Sequence, residues 1–116
     1  MTKELKVHVG GGFDAIAARV ANAWTRAENG EDAREDHLTF ASWDALSSVM
    51  TNKRFELLRH LHRHPAASVA ALARDLKRDY KRVHEDVAAL EGAGLIDRDS
   101  GGLRAEYAEI RTVIAL

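Results

Sequence analysis

The stretch SVAALARDLKRDYKRVHEDVAALEGAGLI, residues 68–96, predicts two amphipathic helices joined by a short turn at residues 77–78. In the second helix, from about residue 79 to 91, apolar side chains recur three and four positions apart and therefore lie on one side. This apolar side is formed by Val83, Val87 and Leu90. The Gly-Ala-Gly run at 92–94 ends the helix, because glycine readily adopts the backbone conformations that terminate helices.

The segments on either side predict one more helix and a hairpin. A helix at about 52–63, capped by Thr51, is expected to bury Phe55, Leu58 and Leu61. Downstream, residues 95–98 and 103–106 predict two strands around a glycine-containing turn at 99–102.

Helix, helix, turn, helix and hairpin, in this order over residues 51–106, are the plan of a winged helix-turn-helix. In that fold the last helix enters the major groove of DNA, and the hairpin, or wing, contacts phosphates or the minor groove. A three-helix bundle with a hairpin and no DNA role is the alternative, because small folds of this kind serve many functions.

The two ends of the chain carry further predicted elements. Alternation of apolar and polar residues predicts strands at 4–9 and 110–116, with a short strand at 37–40. An apolar stripe predicts a helix at 13–28, followed by an acidic connector at 31–36. The C-terminal strand is too apolar to lie alone in water, so we expect it to pair with strand 4–9 of the same chain or of a partner chain.

The expected fold class is therefore mainly α with small β, a winged helix-turn-helix with an N-terminal strand–helix extension and a C-terminal strand. We expect residues 1–36 to form the extension and to serve dimerisation or partner binding. Residues 37–108 would form the winged helix-turn-helix, and residues 109–116 the C-terminal strand.

The composition excludes several classes of site. The 116 residues contain no cysteine, which excludes disulfides, thiolate metal sites and thiol catalysis and fits the cytoplasm. No apolar run approaches the roughly 20 residues of a membrane span, so we expect no membrane partner. The charges of the 17 basic and 18 acidic residues nearly cancel, but the two kinds of residue are unevenly distributed along the sequence. Residues 13–50 carry three arginines against seven acidic residues, whereas residues 51–104 carry eleven lysines and arginines against eight.

The exposed side of the helix at 79–91 is predicted to be basic. Its first turns offer donors for guanine edges and phosphates, and Arg98 and Arg104 lie on the two strands of the hairpin. Glu85 could accept a hydrogen bond from cytosine or instead pair with Lys81, and Asp86 could pair with Arg82. The candidate DNA-binding residues are Ser68, Arg78, Tyr80, Lys81, Arg82, His84, Glu85, Arg98 and Arg104.

The predicted elements at the two ends of the chain carry apolar side chains that are expected to be buried against another surface. Either they pack on their own domain or they form a homodimer interface, which would provide the two recognition helices that a two-fold DNA site requires. The candidate dimerisation residues are Phe13, Ile16, Val20, Trp24, Ile110 and Ile114.

Four short segments resemble a known family. They are LARDL at 72–76, RDY at 78–80, VHEDVAAL at 83–90 and GLI at 94–96. Together they resemble winged helix-turn-helix proteins of the MarR-like type, and more closely a group of short haloarchaeal and bacterial proteins described as DNA-binding. Some members of that group are encoded beside a small toxin and are described as antitoxins. The resemblance covers about residues 37–106 and implies a cytoplasmic, dimeric transcription regulator.

The leading functional hypothesis is a sequence-specific, double-stranded DNA-binding transcription regulator, a dimeric repressor. The alternative is a protein-interaction module that neutralises a toxin, suggested by the acidic first third with Trp24 and Trp43. RNA binding is a third hypothesis, disfavoured by the lack of an expected exposed aromatic platform. No nucleophile–base arrangement predicts an enzyme, and no cofactor is expected. His60 and His64 have metal-ligand spacing, but no further ligands accompany them, so no metal is expected.

Overall fold

The computed structural model describes residues 3–10 and 35–116. These residues form four helices and five strands: β1 (Lys3–Val9), β2 (Glu35–Phe40), α1 (Trp43–Val49), α2 (Asn52–Arg63), α3 (Val69–Leu76), α4 (Tyr80–Gly92), β3 (Asp97–Asp99), β4 (Gly102–Arg104) and β5 (Tyr107–Ile114). The chain divides into two compact units. We call Met1–Leu46 with Glu109–Leu116 the strand unit, and Ser47–Ala108 the helical unit. Among the described residues, no helix has the length and apolar character needed to cross a membrane.

The strand unit contains a three-stranded parallel sheet in the order β2-β1-β5. β1 lies in the centre and pairs with β2 from Glu4 opposite Glu35 to Val9 opposite Phe40. Its alternate residues Leu5, Val7 and Val9 are buried, as period-two alternation predicts. On the other side of β1, the N–H of Ala115 donates to the Val9 carbonyl at 3.0 Å. The prediction that the C-terminal strand pairs with strand 4–9 is therefore confirmed within one chain.

The predicted fold class is wrong. A mainly α winged helix-turn-helix with flanking strands does not describe a chain whose two ends meet with β2 in a parallel sheet. Alternation identifies strands, but it indicates neither the direction in which they pair nor the place of β2 beside β1, so the pattern does not predict a three-stranded parallel sheet. The strand unit contains β1, β2 and the part of β5 from Glu109 onward, and the expected domain boundaries after residues 36 and 108 stay a prediction. The predicted helix at 13–28 lies outside the described residues.

The helical unit is organised by side-chain caps and a leucine- and valine-rich core. Thr51, Ser68 and Asp79 accept hydrogen bonds from the third residue of α2, α3 and α4, which satisfies a backbone donor at each helix start. The fully buried side chains are Leu57, Leu61, Leu72, Leu90, Leu103, Val83 and Val87. The predicted buried side of α4 is thus confirmed.

One residue of α2 was predicted to face inward and does not. Phe55 is 48% exposed, whereas Leu57, Leu58 and Leu61 are buried. At about 100° per residue, Phe55 lies roughly 110° from the middle of that leucine face. The guanidinium of Arg59 lies 5.8 Å from the centre of the Phe55 ring, so the ring contacts a basic side chain at the surface.

The hairpin formed by β3 and β4 is hydrogen-bonded to the segment that joins α2 to α3. β3 and β4 pair antiparallel, with Asp97 opposite Arg104. β3 begins about two residues later than predicted, and β4 begins one residue earlier than predicted. Leu103 exchanges two backbone hydrogen bonds with Ala66, at 2.7 and 3.1 Å. Gly102 has a φ of +112°, and a Cβ at this position would lie far inside van der Waals contact with the Ala66 carbonyl oxygen. Only glycine fits this place without strain.

We expect Gly102→Ala to lower the free energy of unfolding by about 2 kcal/mol, because it imposes a strained backbone conformation and a clash with backbone. Chemical denaturation followed by circular dichroism measures the loss. Gly92→Ala is the matched control, since nothing lies within 4 Å of its added Cβ and alanine is the better helix former. Equal stability of the two variants would contradict the assignment.

Candidate nucleic-acid interface

The first turns of α4 present their polar side chains to solvent. The turn before α4 is sharp because Lys77 adopts a left-handed conformation with a φ of 55°, and Asp79 then caps the helix. Burial of Val83, Val87 and Leu90 fixes which side of α4 faces the core. The opposite side exposes Tyr80, Lys81, Arg82, His84, Glu85 and Ala88.

Three cations at this end of α4 are exposed, namely Lys77, Lys81 and Arg82, and we call them the basic face. Within residues 3–10 and 35–116, none of the three lies within 4.0 Å of a carboxylate. Glu85 is also exposed and makes no ion pair there with Lys81, so the predicted alternative role for Glu85 is not observed. The basic face therefore keeps its charge available to an external anion.

Arg78 was predicted to bind DNA, but it does not belong to the basic face. Its Nη2 donates to Oδ2 of Asp86 at 2.7 Å, and Nε of Arg54 donates to Oδ1 of the same carboxylate at 3.0 Å. The three side chains are 13–20% exposed. Arg54 also donates to the carbonyl oxygens of Ser48 and Val49. We call Arg54, Arg78 and Asp86 the Asp86 triad.

The Asp86 triad corrects two predictions. Asp86 was expected to pair with Arg82, four residues before it on α4, and instead it bridges two arginines outside that helix. Arg54 was missed, because it lies 32 residues from Asp86 in the sequence and no local pattern joins them. The single negative charge of Asp86 offsets one of the two positive charges of Arg54 and Arg78. The Asp86 triad also connects the start of α2, the turn before α4 and α4 itself.

An open cleft lies beside the basic face. Its volume is about 340 Å³, and four predicted contact residues line it, namely Ser68, Tyr80, His84 and Arg98. The rings of Tyr80 and His84 lie 5.9 Å apart, and Tyr80 is 54% exposed. The Ser68 hydroxyl accepts a hydrogen bond from the Ala71 N–H at 3.1 Å, so it serves as a helix cap. The structure thus brings these four predicted residues together.

The two hairpin arginines are paired within the chain. Nε of Arg98 lies 3.2 Å from a carboxylate oxygen of Glu91. Arg104 pairs with Asp99 and, at 3.5 Å, with Glu106. Either arginine would have to exchange an existing partner in order to bind a phosphate, which makes both weaker candidates than the basic face.

The remaining predicted site residues lie elsewhere. Phe13, Ile16, Val20 and Trp24 are outside the described residues. Ile110 and Ile114 lie on β5, where Ile110 is half-buried and Ile114 is exposed. The rings of His60 and His64 lie 5.1 Å apart. In the described part of the chain, no group of three or more metal-ligating side chains occurs.

Comparison with known proteins identifies a family. The model of the HVO_A0114 family matches residues 49–112, which is more than half of the chain and includes α2, α3, α4 and the hairpin. That designation states no function. No curated protein matches the chain, and no solved structure matches it.

Proposed function

The chain belongs to the HVO_A0114 family, whose designation states no function. From the side chains of α4 we propose that it is a double-stranded DNA-binding transcription regulator that reads sequence with this helix. The observation that carries the proposal is the basic face. Three exposed cations without carboxylate partners among the described residues precede or occupy the first turn of a helix whose opposite side is buried. The early residues of a recognition helix are those that reach base edges.

The roles within the basic face follow from side-chain chemistry. Arg82 can donate two parallel hydrogen bonds to the O6 and N7 atoms of guanine, and Lys81 can donate to the same atoms or to a phosphate. Lys77 precedes the helix and can contact a phosphate, and such a contact positions a protein on DNA without reading sequence. Exposed Glu85 adds an acceptor for the amino group of cytosine.

The cleft beside α4 supports the same proposal. Tyr80, His84 and the Ser68 hydroxyl are polar groups of the kind that contact the sugar–phosphate backbone. The chain has a net charge of -1, so non-specific attraction to DNA is weak and binding depends on local contacts. We further propose that this regulator acts in the cytoplasm as a homodimer.

Selection of bound sequences from a random double-stranded DNA pool, at a stated salt concentration, tests the proposal. Enrichment of one motif is the expected result, and a motif with two-fold symmetry would support a dimeric reader. A parallel pool of single-stranded RNA belongs in the experiment, because exposed Tyr80 beside His84 offers a stacking surface that the sequence did not predict. No enrichment from DNA, or enrichment from RNA alone, would exclude the proposed function.

A second candidate function is binding and neutralisation of a protein toxin. Trp43 favours it, because this large aromatic side chain is 57% exposed at the start of α1 and is followed by Asp44. Exposed aromatic residues are enriched in protein–protein interfaces. Co-expression with the product of the adjacent gene and purification of the complex tests it. Loss of that complex in Trp43→Ala, with an unchanged circular dichroism spectrum, is the expected result.

A further inference from the structure

One edge of the parallel sheet is formed by β5, which exposes apolar side chains. Val113 is 45% and Ile114 is 49% exposed, and Ile110 is half-buried. In the part of the chain that the structure describes, β5 has a neighbouring strand on one side only, which is β1. An edge strand presents a row of backbone donors and acceptors with which another strand can pair.

The backbone direction shows which residues offer these groups. The N–H of Ala115 points toward β1, where it donates to the Val9 carbonyl. Because successive residues of a strand point their backbone groups to opposite sides, those of Ile114, Thr112 and Ile110 point to the outer edge. The outer edge therefore carries a donor and an acceptor at every second residue.

The order of charges along β5 is complementary to itself. Glu109 and Arg111 flank Ile110 on one face of the strand. If a second copy of β5 runs antiparallel with the two-fold axis at Ile110, each Glu109 lies directly opposite Arg111 of the other copy. An axis at Arg111 would instead place two arginines opposite each other. Opposite charges in cross-strand pairs are stabilising and like charges are destabilising.

The geometry of this pairing brings the charges close. Since the backbone groups of Ile110 point outward, Ile110 and its copy form a hydrogen-bonded pair across the axis. Glu109 and Arg111 then form the non-hydrogen-bonded pairs, in which facing side chains are closer. Within one chain, Nε of Arg111 already donates to Oε1 of Glu109 at 3.0 Å, so the dimer brings a second carboxylate to each Arg111 rather than a first one. A hydrogen bond to Glu4, together with the hydrogen bond and charge of Arg111, holds the pKa of Glu109 below its ordinary value, so its charge is present at neutral pH.

We infer that β5 is a homodimer interface, in which two copies of this chain pair their β5 strands antiparallel around Ile110. The two sheets become one sheet of six strands, with Ile110 and its copy in contact and two Glu109–Arg111 pairs beside them. One strand pair makes a small interface, and small interfaces are typical of weak, transient complexes. The inference rests on the proposed homodimer and names its interface. It does not depend on DNA binding, and its test contains no DNA.

Charge exchange is the decisive experiment. By sedimentation velocity at tens of micromolar, a range suited to a small interface, the wild-type chain of 12.8 kDa should have twice that mass. Glu109→Arg and Arg111→Glu should each be monomeric, because each places like charges opposite each other. An equimolar mixture of the two variants should dimerise, since one offers two arginines and the other two glutamates. The double variant E109R/R111E should also dimerise and is the control for folding, because it keeps one cation and one anion near Glu4.

A monomeric wild-type chain would overturn the inference. A wild-type dimer whose mass is unchanged by both single variants would place the interface elsewhere and would overturn it too. The axis is tested with Ile110→Cys, because the natural chain contains no cysteine. A short bifunctional thiol reagent should link two copies of this variant faster than two copies of Thr112→Cys, whose cysteines lie farther apart. Faster linking of Thr112→Cys would overturn the Ile110 axis.

Discussion

Replacing Asp86 by alanine should lower the free energy of unfolding of the helical unit by about 3 kcal/mol. Asp86 is the shared acceptor for Arg54 and Arg78, at 3.0 and 2.7 Å. Its removal leaves two guanidinium groups close together, mostly buried and without a counter-charge, and an unpaired buried charge is strongly destabilising. We place the loss at the low end of the range for buried ion pairs because the three side chains keep 13–20% exposure.

Urea denaturation followed by circular dichroism measures this loss. Glu85→Ala is the matched control, because it removes the neighbouring carboxylate of the same helix from an exposed position and should change stability by no more than about 0.5 kcal/mol. Asp86→Asn should fall between the two, since it keeps one acceptor but loses the charge. A loss in Asp86→Ala no larger than that in Glu85→Ala would show that the triad contributes nothing to stability.

The double variant Lys81→Ala/Arg82→Ala should weaken binding to the selected DNA by at least roughly tenfold, because each base-reading contact contributes about 1–3 kcal/mol. If one of the two side chains contacts a phosphate, the dependence of log K on log salt should become shallower by about one unit. Fluorescence anisotropy with labelled duplex at several salt concentrations measures both quantities. The two substitutions lie on the exposed side of α4, so the fold should persist.

Lys53→Ala/Arg59→Ala is the control for net charge. It removes two exposed cations from α2 of the same unit, and its binding should fall by much less. Equal losses in the two double variants would mean that only total charge matters and that α4 does not read the DNA. Unchanged binding in Lys81→Ala/Arg82→Ala would remove the basic face from the interface.

The helices of the helical unit could be predicted from sequence because their signals are local. Three- and four-residue spacing placed Val83, Val87 and Leu90 in the core, and the capping residue Thr51 marked the start of α2. The hairpin was also predicted, although its strands lie about two residues later and one residue earlier, because buried Leu95 and Ile96 resemble strand residues but precede β3.

What could not be predicted depends on contacts between distant residues. Arg78 was predicted to bind DNA, but its guanidinium is paired with the Asp86 carboxylate. The other partner of that carboxylate, Arg54, lies on α2. The same limitation explains the wrong fold class. Period-two patterns identified β1 and β5, and the apolar character of the C-terminal strand predicted their pairing. Neither pattern indicates that the two strands run parallel or that β2 joins them in one sheet.

The position of β1 between β2 and β5 also orders events during synthesis on the ribosome. β1 leaves the exit tunnel before the helical unit, whereas its neighbour β5 is translated only after that unit. The contacts of the helical unit are closer in sequence, and such contacts form faster. The helical unit therefore completes its core before β5 is translated and can pair with β1. A nascent chain that contains the helical unit but not yet β5 leaves one edge of β1 without its neighbouring strand, and an open strand edge in a nascent chain is prone to aggregation.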